Sequence, residues 1–187
     1  MKQLLSYDKY LFRLINYKWH NNFFDWLMPW LRQSNVWVPL YLFLFVFVII
    51  NYKKDTWWWV LFAICTGIFT DFISSTIIKN NVIRIRPCNE PAIVDWVRVL
   101  VSYKPQSSSF TSSHATNHFG FAMFLYMSLK NKLKKWVLIF FCWAFSICYA
   151  QVYVGVHYPL DVICGGLIGI LIGYLFGKLY NRHYSLD

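Results

Sequence analysis

The stretch Ala150-Gln-Val-Tyr-Val-Gly-Val-His157-Tyr-Pro-Leu-Asp161 separates an apolar run over residues 136–149 from another that begins at Pro159 and continues to Leu179. The runs read as two membrane crossings joined by a short loop. Pro159 suits the first position of a helix. Asp161 then falls in the first turn, four residues after His157 and within reach of its imidazole. A carboxylate that holds one ring nitrogen fixes the tautomer and leaves the other nitrogen free as a base or nucleophile. The plainer reading is a loop histidine followed by a helix-start carboxylate. The rest of the chain decides between them.

Composition sets the class. Of 187 residues, 58% are hydrophobic, 21% aromatic and only 14% charged. Soluble domains carry about a quarter charged residues, so a single membrane-embedded domain over residues 1–187 is expected. The net charge of +10 is clustered beside apolar runs and in one loop, which argues against a nucleic-acid partner. No obligate protein partner is evident. Cys65, Cys142, Cys148 and Cys164 fall in apolar runs and read as small core residues, Cys88 falls in a polar loop, and no disulfide framework is expected. Residues 1–16 lack the continuous apolar core of a cleavable signal peptide.

Residues 3–16 read as a short amphipathic helix lying in the interface plane. Leu4, Leu5, Leu11, Phe12 and Ile15 share one face, with Lys9 and Arg13 off it. Trp19, Phe23, Phe24, Trp26 and Trp30 then crowd residues 18–31 among Lys18, His20, Asn21 and Asn22. Residues 1–34 are therefore expected to be interfacial, anchored by aromatics, with a sixth crossing left open. Five crossings follow, at 36–50, 57–78, 115–129, 136–149 and 159–179. The fold class is an all-α membrane protein, a bundle of five to six transmembrane helices with an interfacial amphipathic N-terminal helix. Gly165, Gly169 and Gly173 mark close helix packing in the last crossing.

The basic turns at 51–55 and 130–135, and the tail with Lys178, Arg182 and His183, share one side, the cytoplasm by the positive-inside rule. The outer-face loop 79–113 and the loop 150–158 share the other. Loop 79–113 carries Lys79, Arg84, Arg86, Arg98 and Lys104 against Glu90 and Asp95. A basic outer loop runs against the rule, and an anionic substrate is the simplest reason for it.

Three stretches meet on that face. Lys79 and Arg86 end the second crossing and can converge on a phosphate; alone they would be snorkelling anchors. Ser107-Ser-Ser-Phe-Thr-Ser-Ser-His114 runs into the third crossing, where small hydroxyl residues leave backbone N–H groups facing an anion; alone they would be caps. His157 with Asp161 is the third. This order resembles the type 2 phosphatidic acid phosphatases, the lipid-phosphate phosphatase superfamily that includes vanadium haloperoxidases. Its pattern is Lys-x6-Arg-Pro, Pro-Ser-Gly-His and Ser-Arg-x5-His-x3-Asp. Lys79, Arg86 and Pro87 match the first motif fully. Ser112 and His114 match the second, with Thr111 for Pro and Ser113 for Gly. His157 and Asp161 match the third, with Ala150-Gln151 where Ser-Arg is expected. The likeness covers residues 57 to 175, roughly.

The resemblance implies that His157 attacks phosphorus to form a phosphohistidine, oriented by Asp161, while His114 protonates the leaving oxygen. It implies that Lys79, Arg86, Gln151 and the Ser112 and Ser113 amides hold the phosphoryl oxygens. It implies no metal and no cofactor. The substrate would be a lipid phosphate in the bilayer: undecaprenyl diphosphate, a lipid A phosphate, phosphatidylglycerophosphate or phosphatidic acid. The location would be a bacterial cytoplasmic (inner) membrane, with the active site facing the periplasm or exterior. Gln151 can donate a hydrogen bond but carries no charge, so Arg84 or Lys104 is expected to supply the missing cation; Arg84 is otherwise a solvated loop charge. Asp71 is either functional or paired with a polar neighbour, and His118 reads as a buried polar contact. A lipid phosphotransferase, or a catalytically weak lipid-phosphate-binding or transport protein, remains as an alternative. A transporter should carry polar groups through the midplane, and here they gather near the outer end.

Overall fold

A computed structural model of the chain describes residues 2–52 and 54–186. Lys53, in the first expected basic turn, lies outside them, as do Met1 and Asp187. Among the described residues every regular element is helical.

Helix α1 (Lys2–Arg13) runs into a π-helical turn, Leu14–Lys18, and α2 (Asn22–Leu31) follows. Asn21 starts α2 by accepting the Phe24 N–H at 2.9 Å. These helices have 12 and 10 residues, too few to cross a hydrocarbon core about 30 Å thick at about 1.5 Å per residue. Among the described residues, neither helix is long enough to be a sixth crossing. The buried stripe of α1 also differs from the expected one. Asp8, Phe12 and, in the following turn, Asn16 are buried, four residues apart, whereas Leu4, Leu5 and Leu11 are exposed. Leucine is content against lipid tails, but a carboxylate and an amide at that depth need protein partners. The polar stripe therefore faces in.

Among the described residues, four helical runs are long and apolar enough to span: Ser34–Asn51, Thr56–Asn81, Ser113–Tyr153 and Pro159–His183. The first contains α3 (Val38–Asn51). The second joins α4 (Thr56–Asp71) through a π-helical stretch, Phe72–Ile78, to α5 (Lys79–Asn81). The third is two antiparallel helices, α6 (Ser113–Leu133) and α7 (Ile139–Tyr153), folded back at a 3-10 turn, Lys134–Leu138. With α8 (Pro159–His183) the crossings number five, as expected. The second basic turn moves from 130–135 to 134–138, because α6 keeps Lys130 and Lys132 within its last turn.

Helix α6 is central, and α8 lies closest to it. A Cβ on Gly169 would stand 2.2 Å from the Thr116 carbonyl oxygen, and one on Gly173 would stand 2.1 Å from that of Gly120. The glycine ridge thus lets two backbones touch. Leu44, Trp59, Phe124, Leu129, Phe140 and Tyr180 fill the core toward the basic end. Ile50, Trp57, Phe145 and Leu167 are exposed on the outer faces of the spans, where lipid tails would cover them. Cys88 reverses its expected role: it is fully buried beneath the loop end, while Cys142 is exposed.

Candidate active site

His157 sits in the turn between α7 and α8 and is almost fully buried. Pro159 opens α8, and Asp161 accepts the Tyr158 backbone N–H at 2.9 Å. The same carboxylate oxygen accepts the Ser109 hydroxyl and faces His157 Nδ1 at 3.6 Å. That separation lies just beyond hydrogen-bond reach, and the Ser109 hydroxyl, 3.5 Å from Nδ1 and bonded to the same Asp161 oxygen, bridges the two. On the other side, Arg86 donates to His157 Nε2 at 3.1 Å. A guanidinium can only donate, which makes Nε2 the unprotonated nitrogen and places the ring proton on Nδ1, toward Asp161. Burial pushes the His157 pKa down to about 4, against the pull of Asp161 and with help from the Arg86 charge. At neutral pH the ring is a neutral imidazole with its lone pair on Nε2.

Arg86 is held by what surrounds it. It donates to the Ser107 carbonyl at 2.8 Å, the Ser107 hydroxyl at 3.1 Å, and the Val156 and Ser108 carbonyls. Lys79 Nζ donates to the Ser113 hydroxyl at 2.7 Å, and Ser75 lies 2.9 Å from that same hydroxyl. Asp71 completes the row, accepting from Ser75 at 3.0 Å and from Asn117 at 3.2 Å; of its two readings, this is the polar pairing. A cavity of about 380 Å³ is lined by Lys79, Arg84, Arg86, Ser107 and Ser108.

Ser112 caps α6 through its hydroxyl, and its own N–H donates to the Asp161 carbonyl at 3.1 Å. The Ser113 and His114 N–H groups, at the first two helical positions, have no intrahelical acceptor. They are the amides left to meet an anion. The His114 side chain lines a second cavity, of about 470 Å³, together with Arg32, Ser102 and Tyr103. His118 stacks on His114 at 6.1 Å and donates from Nδ1 to the His114 carbonyl at 2.7 Å. Tyr41 meets its Nε2 at 3.3 Å. It is the buried polar contact the sequence suggested.

Two expectations change. Arg84 is neither a solvated charge nor a free phosphate ligand. It forms ion pairs with Asp161 and with Asp8 of α1 and stacks over Tyr158 at 4.3 Å. Lys104 is exposed and lines neither cavity. The basic loop 79–113 is also partly neutralised from outside itself, Arg84 by Asp8 and Asp161 and Arg98 by Asp25. Among the described residues, Lys79 and Arg86 are the cations lining the 380 Å³ cavity that form no ion pair. Among the described residues, no three His, Cys, Asp or Glu side chains gather as a metal site.

A profile of the PAP2 superfamily matches residues 56–185. The chain belongs to that superfamily. It is 33% identical over 153 residues to a lipid A 4'-phosphatase of Bacteroides thetaiotaomicron, covering 80% of this chain and 67% of the relative. The crystal structure of Aquifex aeolicus LpxE superposes with a TM-score of 0.65 at 28% identity, covering 90% of this chain and 93% of that one. A PAP2-type phosphatidylglycerolphosphate phosphatase from Bacillus subtilis has the same fold, with a TM-score of 0.69 at 20% identity over 97% of this chain and 88% of that one.

Sequence reasoning missed three residues of this PAP2 site. Ser109 was one hydroxyl in a serine-rich run, and only its bond to Asp161 singles it out. Asp8 and Arg32 come from the N-terminal segment, far from every motif. A charged residue on the protein-facing stripe of a membrane helix is the signal that could have found Asp8.

Proposed function

We propose that this PAP2-superfamily lipid-phosphate phosphatase removes the phosphate of a lipid A-type phosphomonoester, through a phosphohistidine on His157, at the outer face of a bacterial inner membrane. The observation that carries this reading is the paired holding of His157, with Arg86 on Nε2 and the Asp161 charge facing Nδ1. Nε2 attacks phosphorus, the bond from phosphorus to the sugar oxygen breaks, and His114 gives that oxygen its proton. The phosphorylated ring keeps its Nδ1 proton and carries positive charge, which Asp161 stabilises. Water then attacks phosphorus while His114 takes its proton, releasing inorganic phosphate and a neutral His157. Lys79, Arg86 and the Ser113 and His114 amides hold the equatorial oxygens, where charge gathers in the transition state.

The lipid A-type substrate is supported by the relative from Bacteroides thetaiotaomicron. The outer location is supported by Lys130, Lys132, Lys134, Lys135 and Arg182, which crowd the opposite end of the bundle. A phosphate head can enter there while its tails stay in lipid.

The test is phosphate release by detergent-purified protein in the presence of chelator. The panel holds lipid A phosphates, undecaprenyl diphosphate, phosphatidylglycerophosphate and phosphatidic acid, for the wild type and for His157→Ala. Release should be greatest with lipid A phosphates and absent in the variant. No release from any lipid would sink the hydrolase reading, and release that survives the variant would sink the mechanism. Preference for the diphosphate would reassign the substrate, and phosphate appearing on another lipid alcohol would make the enzyme a phosphotransferase.

A further inference from the structure

Arg32 ends α2, its backbone N–H bonded to the Met28 carbonyl at 3.2 Å. The residue is only 9% exposed. Among the described residues it forms no ion pair, and its one side-chain hydrogen bond is a long one, from Nε to Gln151 Oε1 at 3.4 Å. The contrast with the other site arginines is plain. Arg84 has two carboxylates, and Arg86 is surrounded by acceptors. A buried guanidinium without a counter-charge is costly, and this one borders the His114 cavity. Gln151 shares the deficit. It is fully buried, and its Nε2 has no partner. Two donors side by side, one of them cationic, are left without acceptors next to a reacting histidine.

We infer that Arg32 is a phosphoryl-binding cation of this enzyme, carried into the site by α2 and held on Gln151. The inference rests on the phosphatase reading of the same site. The carbonyl half of the Gln151 amide accepts from Nε, which leaves the two terminal nitrogens to meet an anion in the cavity that Arg32 lines. The Nε2 half then gives a second donor to the same anion. An arginine at position 151 would set two guanidinium groups against each other, so the neutral amide and Arg32 belong together. Residues 22–37 thereby serve the chemistry as well as the anchoring. Trp37 Nε1 donates to the Leu31 carbonyl at 2.8 Å, fixing the corner from which Arg32 extends.

The experiment is a double-mutant cycle on the full chain in detergent, with Arg32→Ala, Gln151→Arg and the pair combined. Two quantities are read: kcat/KM for lipid phosphate, and equilibrium binding of orthovanadate, a phosphoryl analogue, by titration calorimetry. Arg32→Ala should lower kcat/KM about a hundredfold, the loss expected for one charged donor, and weaken vanadate by a comparable factor. Gln151→Arg alone should also be damaged, by like-charge repulsion. The combined variant should recover at least about tenfold over Arg32→Ala, an interaction of opposite sign to simple additivity. Arg32→Lys, which keeps the charge and the fold, should retain vanadate binding if Arg32→Ala fails to fold. Arg32→Ala within twofold of wild type, or a loss of activity with vanadate binding unchanged and no rescue by Gln151→Arg, would overturn the inference. If the wild type released phosphate from no lipid, the phosphatase reading would fall, while vanadate binding would still decide the role of Arg32.

Discussion

Asp8 and Arg84 form a partly buried ion pair across 76 residues of sequence, joining the N-terminal helix to the start of α8. The other oxygen of Asp8 accepts the Leu160 N–H at 2.8 Å, at the first turn of α8. Arg84 in turn holds the oxygen of Asp161 that does not face His157. The chain of contact runs from α1 through Arg84 to the carboxylate that faces His157. Asp8→Asn removes the charge and keeps the shape. It should cost about 1–2 kcal/mol of stability, less than a fully buried pair, because Arg84 is partly exposed and keeps Asp161 as a partner. It should also lower kcat, because Arg84 and Asp161 shift together. Thermal unfolding in detergent and kinetics on the same preparation check both.

Arg84 and Lys104 are separated by the same logic. Arg84→Ala removes one of the three groups that hold Asp161 beside His157 and lets the carboxylate shift. A displacement of about 1 Å at a reacting group costs about a hundredfold, so kcat should fall while KM changes little. Lys104→Ala should leave both constants unchanged, since that side chain is exposed and outside both cavities. A rise in KM for Arg84→Ala at constant kcat would mean that Arg84 binds phosphate directly after all.

The transmembrane bundle and the His157–Asp161 pair were legible because both are local. Apolar runs reveal themselves in sequence, and a spacing of four at a helix start puts two side chains together whatever the rest of the chain does. The loop cations were legible as charges but not as roles. What separates Arg84 from Arg86 is a carboxylate from α1, and no local pattern says where α1 docks. Arg32 was hidden for the same reason. Its neighbour Gln151 lies 119 residues away, and a charge beside an aromatic segment reads as an interfacial anchor. The inward face of α1 was not legible because hydrophobicity marks burial only against water. In lipid, the polar stripe is the one that must find the protein.

The glycine ridge offers a test of the fold independent of the chemistry. Gly169→Leu would drive a side chain into the Thr116 backbone, where even a Cβ has only 2.2 Å. It should separate α6 from α8 and abolish folded protein, or leave it inactive with an unfolding midpoint lowered by many degrees. Gly67→Ala is the control. Nothing lies within 4 Å of its Cβ position, and replacing a helical glycine by alanine gains about 1 kcal/mol in propensity. Size-exclusion profiles and thermal unfolding of the two variants should diverge in opposite directions from wild type.

Proton uptake at His157 sets a window of acid sensitivity. Its pKa of about 4 lies below the 6.5 of a free imidazole, chiefly through burial. Between those values the unfolded chain binds a proton that the folded chain refuses, so folding stability falls as pH drops through that window and is fully present above it. The ring should stay neutral, with the proton on Nδ1, down to about pH 5. Nitrogen NMR of protein labelled at histidine, compared with His157→Ala to assign the signal, checks this directly. A ring that titrates near 6.5 or above would remove the neutral nucleophile from the mechanism at mildly acidic pH. The low value also predicts that loss of kcat/KM below about pH 6 follows the second ionisation of the phosphomonoester rather than His157. A phosphonate inhibitor series with shifted second pKa values should move the acid limb of binding in step, with no contribution from His157 above about pH 5.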